Sequence, residues 1–287
     1  MIQTLNDSLF KEKGITVDVL RLDLIHPEVS GNKWFKLKYY IADALLQGKQ
    51  GMFSFGGPYS NHLVAMAFAC KEKKLMATAI IRGDEAGLSN PSIEQMRSYA
   101  MKLLFVSREE YRDKEKLRQL FIMEHPDYYC VPEGGQGRLG VKGASEIVHP
   151  SFTNYSDIIC SVGTGTTMAG IINGAQPPQI ITGICSLKVK DTSHNALLDY
   201  ISENVSSDRY RLLFDYHFGG YAKKNAVLVD FMNRFYSNEN IPTDFVYTGK
   251  LFYAVYDLAK KDFFTPGQQL LVVHSGGLQG NRSLPQG

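Results

Sequence analysis

Ser30-Gly31-Asn32-Lys33-Trp34-Phe35-Lys36-Leu37 sets a lysine directly behind a turn dipeptide, at the start of a run with helical periodicity. Counting forward from Lys33, residues Leu37, Tyr40, Ile41, Ala44 and Leu45 recur at the spacing that lines one helix face. Lys33 is therefore expected at the N-terminal end of an apolar stripe. Burial and the positive end of a helix dipole both favour a neutral amine there, which is the form that does covalent chemistry. Read alone, the stretch more commonly means a helix-end lysine that snorkels to solvent.

Outward from this stretch, short β-rich runs alternate with amphipathic ones. The strands expected are Val17–Leu22, Gly51–Phe55, Met76–Arg82, Lys102–Val106, Tyr128–Val131, Asp157–Val162, Gln179–Ser186 and Leu270–His274. Helices are expected near 33–47, 61–73, 91–100, 112–123, 138–148, 167–174, 192–203, 223–237 and 250–261. Such alternation predicts an α/β fold of mainly parallel sheets covered by helices on both faces. Sheets of this kind bind ligands beyond the carboxyl ends of their strands, at glycine-rich turns.

At 287 residues the chain is long enough for one large or two modest domains, with ample apolar content for a core. A net charge of +2 gives no electrostatic reason to expect a nucleic-acid or membrane partner. No apolar run approaches a membrane span, and the first residues lack a signal-peptide pattern, so a cytoplasmic protein is expected. Cys70, Cys130, Cys160 and Cys185 are widely spaced and read as core thiols. The seven histidines form no ligand grouping, so no metal is expected.

Three turns carry chemistry. Phe53-Ser54-Phe55-Gly56-Gly57-Pro58-Tyr59-Ser60-Asn61-His62 joins a strand to a helix that Ser60 or Asn61 would cap. It is either an ordinary capped helix or an anchor for a small carboxylate on outward-pointing amides. Cys160–Gly170 leaves a strand through Gly163-Thr164-Gly165-Thr166-Thr167, amides and hydroxyls around one point. It lacks the P-loop lysine and the third glycine of a dinucleotide fingerprint, so a single phosphate suits it better, against an ordinary βα turn. Tyr247-Thr248-Gly249-Lys250 and His274-Ser275-Gly276-Gly277 set hydroxyls beside glycine at two further turns, where such residues most often only shape the backbone.

Together these motifs resemble the pyridoxal-phosphate enzymes of the tryptophan-synthase-β-like fold. Within them the chain is similar to the family of 1-aminocyclopropane-1-carboxylate (ACC) deaminase and D-cysteine desulfhydrase. The resemblance runs from about Leu5 to Gly277 through Gly31-Asn32-Lys33-x-x-Lys36-Leu37, Gly56-Gly57-x-x-Ser60-Asn61-His62, Val162–Gly170 and Val246–Lys250. It implies a two-domain, three-layer αβα fold with the cofactor between the domains: 1–44 plus 140–287 as the large domain, 45–139 as a small inserted one. It implies pyridoxal 5′-phosphate as cofactor, a small amino acid as substrate and a homodimer. Lys33 would anchor the cofactor and act as catalytic base. Ser60, Asn61 and His62 would face the substrate carboxylate and the cofactor 3′-oxygen, Gly163 through Thr167 would hold the phosphate, and Tyr247 and Tyr221 would act on the leaving group or a proton. Thr248 or Ser275 would reach the pyridine nitrogen.

The chain departs from the family at several places. Trp34 and Phe35 replace a small residue and an arginine, and are expected at a pocket wall or a subunit contact. Phe245 stands where proline is usual, and the segment around Asp84–Pro91 is short. ACC deaminases resemble one another in a glutamate after the tyrosine and a leucine near the C-terminus. Thr248 and Ser275 occupy those positions here, which is the desulfhydrase pattern. The reaction implied is β-elimination from an amino acid such as D-cysteine, giving a 2-oxo acid and ammonia. ACC ring opening and non-catalytic pyridoxal-phosphate binding are the alternatives.

Overall fold

The computed structural model describes residues 1–26, 31–84, 90–278 and 281. Among these, the strands in chain order are β1 (Ile2–Thr4), β2 (Thr16–Arg21), β3 (Gly51–Gly56), β4 (Met76–Arg82), β5 (Lys102–Val106), β6 (Tyr128–Cys130), β7 (Asp157–Val162), β8 (Ile180–Cys185), β9 (Tyr210–Leu213) and β10 (Gln269–His274). The α-helices are α1 (Ser8–Glu12), α2 (Asn32–Leu46), α3 (Asn61–Glu72), α4 (Pro91–Ser98), α5 (Lys114–Glu124), α6 (Arg138–Ser145), α7 (Thr166–Gly174), α8 (Ala196–Glu203), α9 (Ala226–Glu239) and α10 (Thr248–Lys260). All eight expected strands and all nine expected helices form within a few residues of the expected ends. Short β1, β9 and α1 are additions. Ser30 and most of the segment around Asp84–Pro91 lie outside the described residues.

Contacts divide the described chain into two compact units. The larger, 1–32 with 144–281, holds a six-stranded sheet in the order β1-β2-β10-β7-β8-β9. It is parallel except where β1 pairs antiparallel with β2. Its centre is buried along every residue of β7 and nearly all of β10, as expected of strands covered on both faces. A core from Phe10, Val17, Val19, Ile159, Phe235, Phe252, Val255, Leu270 and Val272 packs α1, α9 and α10 onto that sheet. Burying such side chains contributes roughly 1.5–3 kcal/mol each.

The smaller unit, 33–143, holds a parallel four-stranded sheet in the order β5-β4-β3-β6. Phe53, Phe55, Ile80, Tyr111 and Phe121 form its aromatic core. After Asn32, the rest of α2 belongs to this unit. The Tyr40 hydroxyl donates to the Gln136 carbonyl at 2.5 Å, and the Tyr129 hydroxyl donates to Asp43 at 2.6 Å. The buried face of α2 is Lys36, Leu37, Tyr40 and Ala44. The expected stripe is thus shifted: Lys36 lies in it, Lys33 at its half-buried edge, and Leu45 is 47% exposed.

Candidate active site

In the larger unit the glycine-threonine turn stands at the carboxyl end of β7, and α7 begins inside it at Thr166. Gly165 caps that helix with φ +84°, and the amides of its first turn have no preceding helical carbonyl to bond. The hydroxyls are not equivalent. Thr166 is fully buried, its Oγ1 within 3.2 Å of both Thr164 Oγ1 and the Tyr200 hydroxyl. Thr167 instead accepts a 2.8 Å hydrogen bond from the side-chain amide of Asn32.

Asn32 ties the turn to the start of α2. Its backbone N–H donates to the Ser275 carbonyl at 3.1 Å, while the preceding Gly31 N–H donates to Leu22 at 2.8 Å. Gly31 has φ +86°, and a Cβ there would overlap the Ser275 carbonyl oxygen. Only glycine meets both demands. Lys33 follows in the chain, so the residue before it is fixed at once to the α7 turn and to the turn after β10. Ser275 itself is nearly buried, its Oγ 3.3 Å from Ser161 Oγ. His274, fully buried just before it, is bracketed by Asp23 at 3.2 Å and the Pro242 carbonyl at 2.8 Å. Burial outweighs Asp23 and keeps the imidazole below its ordinary pKa.

Buried Asp244 organises the second hydroxyl turn. Its carboxylate accepts from the amides of Val246 (2.8 Å), Tyr247 (2.8 Å) and Thr248 (3.0 Å) and from the Thr248 hydroxyl (2.7 Å). The Thr248 Oγ1 in turn accepts from the Asp244 amide at 2.8 Å. With its proton given to Asp244, the Thr248 hydroxyl has none to offer a further acceptor, whereas in the Ser161–Ser275 pair either hydroxyl can be the donor. Tyr247 lies over the phosphate-type turn: a Cβ on Gly163 would come within 3.0 Å of its Cε1 and 3.1 Å of its hydroxyl. Tyr221 meets Tyr247 edge-on, with ring centroids 6.0 Å apart.

In the smaller unit, Ser60 is the cap of α3, its Oγ accepting from the Leu63 amide at 3.3 Å. Asn61 opens the helix half-buried. His62 turns inward: it is buried, its Nε2 2.8 Å from Ser54 Oγ, and its Nδ1 has no hydrogen-bond partner among the described residues. Lys36 is also buried, its Cβ and Cε both 3.4 Å from where a Cβ on Gly135 would stand. Burial foremost, then the positive charge of Lys33, pushes the Lys36 amine and the His62 imidazole well below their usual pKa values. Three nitrogen bases thus converge, with two held toward neutrality.

Sequence reasoning assigned no role to Lys36, Ser54 or Asp244. Lys36 had a readable signal, one turn beyond Lys33 on the same face. Asp244 had a weaker one, a capping residue type just before a helix. Nothing local marks Ser54. Of the four cysteines, Cys70, Cys160 and Cys185 are buried and Cys130 is half-buried. Among the described residues no cluster of histidine, cysteine or acid is suited to a metal, and no helix is long and apolar enough to cross a membrane.

The residues fit a phosphate-bearing cofactor. The turn 163–167 offers helix-start amides and hydroxyls and carries no acid, the donor set a phosphate needs. The sequence pattern of the family described as "Pyridoxal-phosphate dependent enzyme" matches residues 7–276. The chain belongs to that family. It depends on pyridoxal phosphate, and its α/β fold with mainly parallel sheets is the tryptophan-synthase-β-like one. A protein of Pyrococcus horikoshii, provisionally named 1-aminocyclopropane-1-carboxylate deaminase, is 28% identical over 288 residues, covering 95% of this chain and 88% of that one. The bifunctional D-cysteine desulfhydrase/1-aminocyclopropane-1-carboxylate deaminase, mitochondrial, of Arabidopsis thaliana is 28% identical, covering 93% of this chain and 73% of its own. A crystal structure described as an ACC deaminase homologue superposes with a TM-score of 0.84 at 28% identity, covering 98% of this chain and 90% of the other.

Proposed function

We propose that this enzyme is a lyase that eliminates the β-substituent of a small amino acid, with D-cysteine as the substrate type. The observation that carries the reading is Asn32, bonded to Thr167 and to the Ser275 carbonyl with Lys33 next in the chain. In this reading Lys33, the 163–167 turn and Ser275 serve one cofactor molecule. Bound pyridoxal phosphate supplies the electron sink that acidifies the substrate α-carbon.

The chain's own residues do the rest. Lys33 anchors the cofactor and its Nζ then takes the α-proton. Gly163 to Thr167 hold the phosphate. Ser60 and Asn61, at the start of α3, hold the substrate carboxylate, and His62 supports that turn from Ser54. Tyr247 and Tyr221 deliver a proton to the departing sulfur. D-cysteine and water then give pyruvate, ammonia and hydrogen sulfide. Ser275 would be the hydroxyl offered to the ring nitrogen, since that of Thr248 is committed to Asp244. A neutral hydroxyl leaves the ring a weaker electron sink than a carboxylate partner would, which suits a good leaving group such as thiolate.

The names of the relatives support ACC deamination as the second reading. Turnover of purified enzyme on D-cysteine and on ACC separates the two. Sulfide with pyruvate from D-cysteine is expected, whereas rapid ACC opening without sulfide release contradicts the first reading. A cytoplasmic homodimer completes the proposal, with a dimer mass by light scattering as its check.

A further inference from the structure

Lys250 is a lysine with no solvent contact, on the first turn of α10. Its ammonium donates two hydrogen bonds of 2.8 Å, to the carbonyls of His217 and Gly220. Burial lowers its pKa to about 8, while Asp244 and Cys185 oppose that shift. Burying this ammonium is costly unless its donors are met. The two carbonyls meet it, and they belong to the loop that carries Tyr221.

That loop has an uncommon backbone. Phe218, Gly219, Gly220 and Ala222 all have positive φ, at 51°, 94°, 118° and 52°. Two of these are not glycine, and such a run persists only where its surroundings hold it. Local bonds close parts of it: the Gly220 amide to the His217 carbonyl at 3.0 Å, and the Gly219 amide to His217 Nδ1 at 2.9 Å. Two links run to α10: Phe218 meets Tyr253 edge-on with ring centroids 4.9 Å apart, and Lys250 adds its two hydrogen bonds. Tyr221 is 58% exposed, so packing alone does not fix its ring. Tyr247, by contrast, is set by Asp244. The two tyrosines meet edge-on, yet they are positioned by different charged residues.

We infer that Lys250 is a positioning residue, which fastens the 217–220 turn to α10 and so holds Tyr221 against Tyr247 for proton delivery. This rests on the proposed role of Tyr221, and the experiment separates the two. Hydrogen exchange needs no substrate. In Lys250→Met the amides of residues 218–222 are expected to exchange on the order of 10- to 100-fold faster than in wild type. Lys250→Arg, which keeps two donors, restores most of the protection. On D-cysteine, Lys250→Met lowers kcat on the order of 100-fold with KM within about threefold. In a Tyr221→Phe background the same substitution costs less than about threefold, because its effect passes through Tyr221. Should Lys250→Met not fold, Lys250→Gln takes its place in every arm. Unchanged exchange overturns the inference, as does an equal kcat loss in the Tyr221→Phe background. If wild type does not turn over D-cysteine, that failure belongs to the substrate reading, and the exchange result alone decides the role of Lys250.

Discussion

Replacing Asp244 by asparagine changes one atom of a fully buried side chain and disarms the start of α10. The carboxylate takes four donors, two on each oxygen: Val246 and Tyr247 amides on Oδ1, the Thr248 amide and hydroxyl on Oδ2. An asparagine has a single acceptor oxygen. In the less costly orientation the NH2 faces Thr248, whose hydroxyl can turn to accept from it, so the Thr248 amide is left unmet and the Val246 and Tyr247 amides lose a charged acceptor. Leaving one buried donor unmet costs about 1–3 kcal/mol and losing the charge from two more bonds about 1–2 kcal/mol, so Asp244→Asn should destabilise the protein by roughly 2–5 kcal/mol. That is a large part of the roughly 5–15 kcal/mol by which domains are stable. In urea, with a slope of about 2–3 kcal/mol per molar, the midpoint falls by about 1–2 M. The assay is circular dichroism across a urea series for wild type, Asp244→Asn and a Thr248→Ser control. The control keeps the hydroxyl and should move the midpoint little. A shift below about 0.2 M for Asp244→Asn would refute the four-donor account of this turn.

Two further predictions follow from the turns and the buried bases. Gly31→Ala adds a Cβ against the Ser275 carbonyl and must also hold φ +86°, so both the fold and cofactor retention should suffer. The expected cost is about 2–4 kcal/mol, against about 1 kcal/mol for Gly48→Ala, which has φ +66° and open space around it. Thermal midpoints and equilibrium dialysis of the cofactor compare the two; equal losses would remove the argument for Gly31. His62 is held neutral in the folded protein, its pKa well below the ordinary 6.5. The unfolded chain therefore takes up a proton first, and this stability is present above pH 6.5 and lost as pH falls below it. The loss is about 1 kcal/mol between pH 6.5 and 5.5. His62→Gln should remove that component, seen as the difference between the two pH–stability curves; parallel curves would show that His62 is free to ionise in the fold.

Much of the fold is legible in the sequence because its centre is parallel sheet. Strands buried on both faces must be apolar throughout, as in Leu270–Val273 and Ile158–Cys160, and such runs stand out from the helices between them. The misses are short or peripheral: β1 and β9 lie at the edges of their sheet, where a strand of three or four residues leaves little pattern. On α2 the periodicity was right and its phase was not. Lys36, one turn past Lys33, occupies the buried face because its aliphatic stem packs at Gly135. A charged residue in an apolar stripe is invisible to a count of apolar residues. The commitment of the Thr248 hydroxyl is hidden in the sequence for a related reason. Which hydroxyl keeps its proton depends on Asp244, and only coordinates show that Asp244 takes it from Thr248. The glycines were the most informative letters, since Gly31 and Gly163 mark places where other atoms come too close for a side chain.

Lys33 is the proposed cofactor lysine, and α2 holds a rival in Lys36, which is more deeply buried and held toward the neutral amine. Borohydride reduction of the pyridoxal-phosphate-loaded enzyme, followed by proteolysis and tandem mass spectrometry, fixes the cofactor on whichever lysine bears it. The account predicts the adduct on Lys33, with Lys36 unmodified. An adduct on Lys36, or on no lysine of α2, would contradict it.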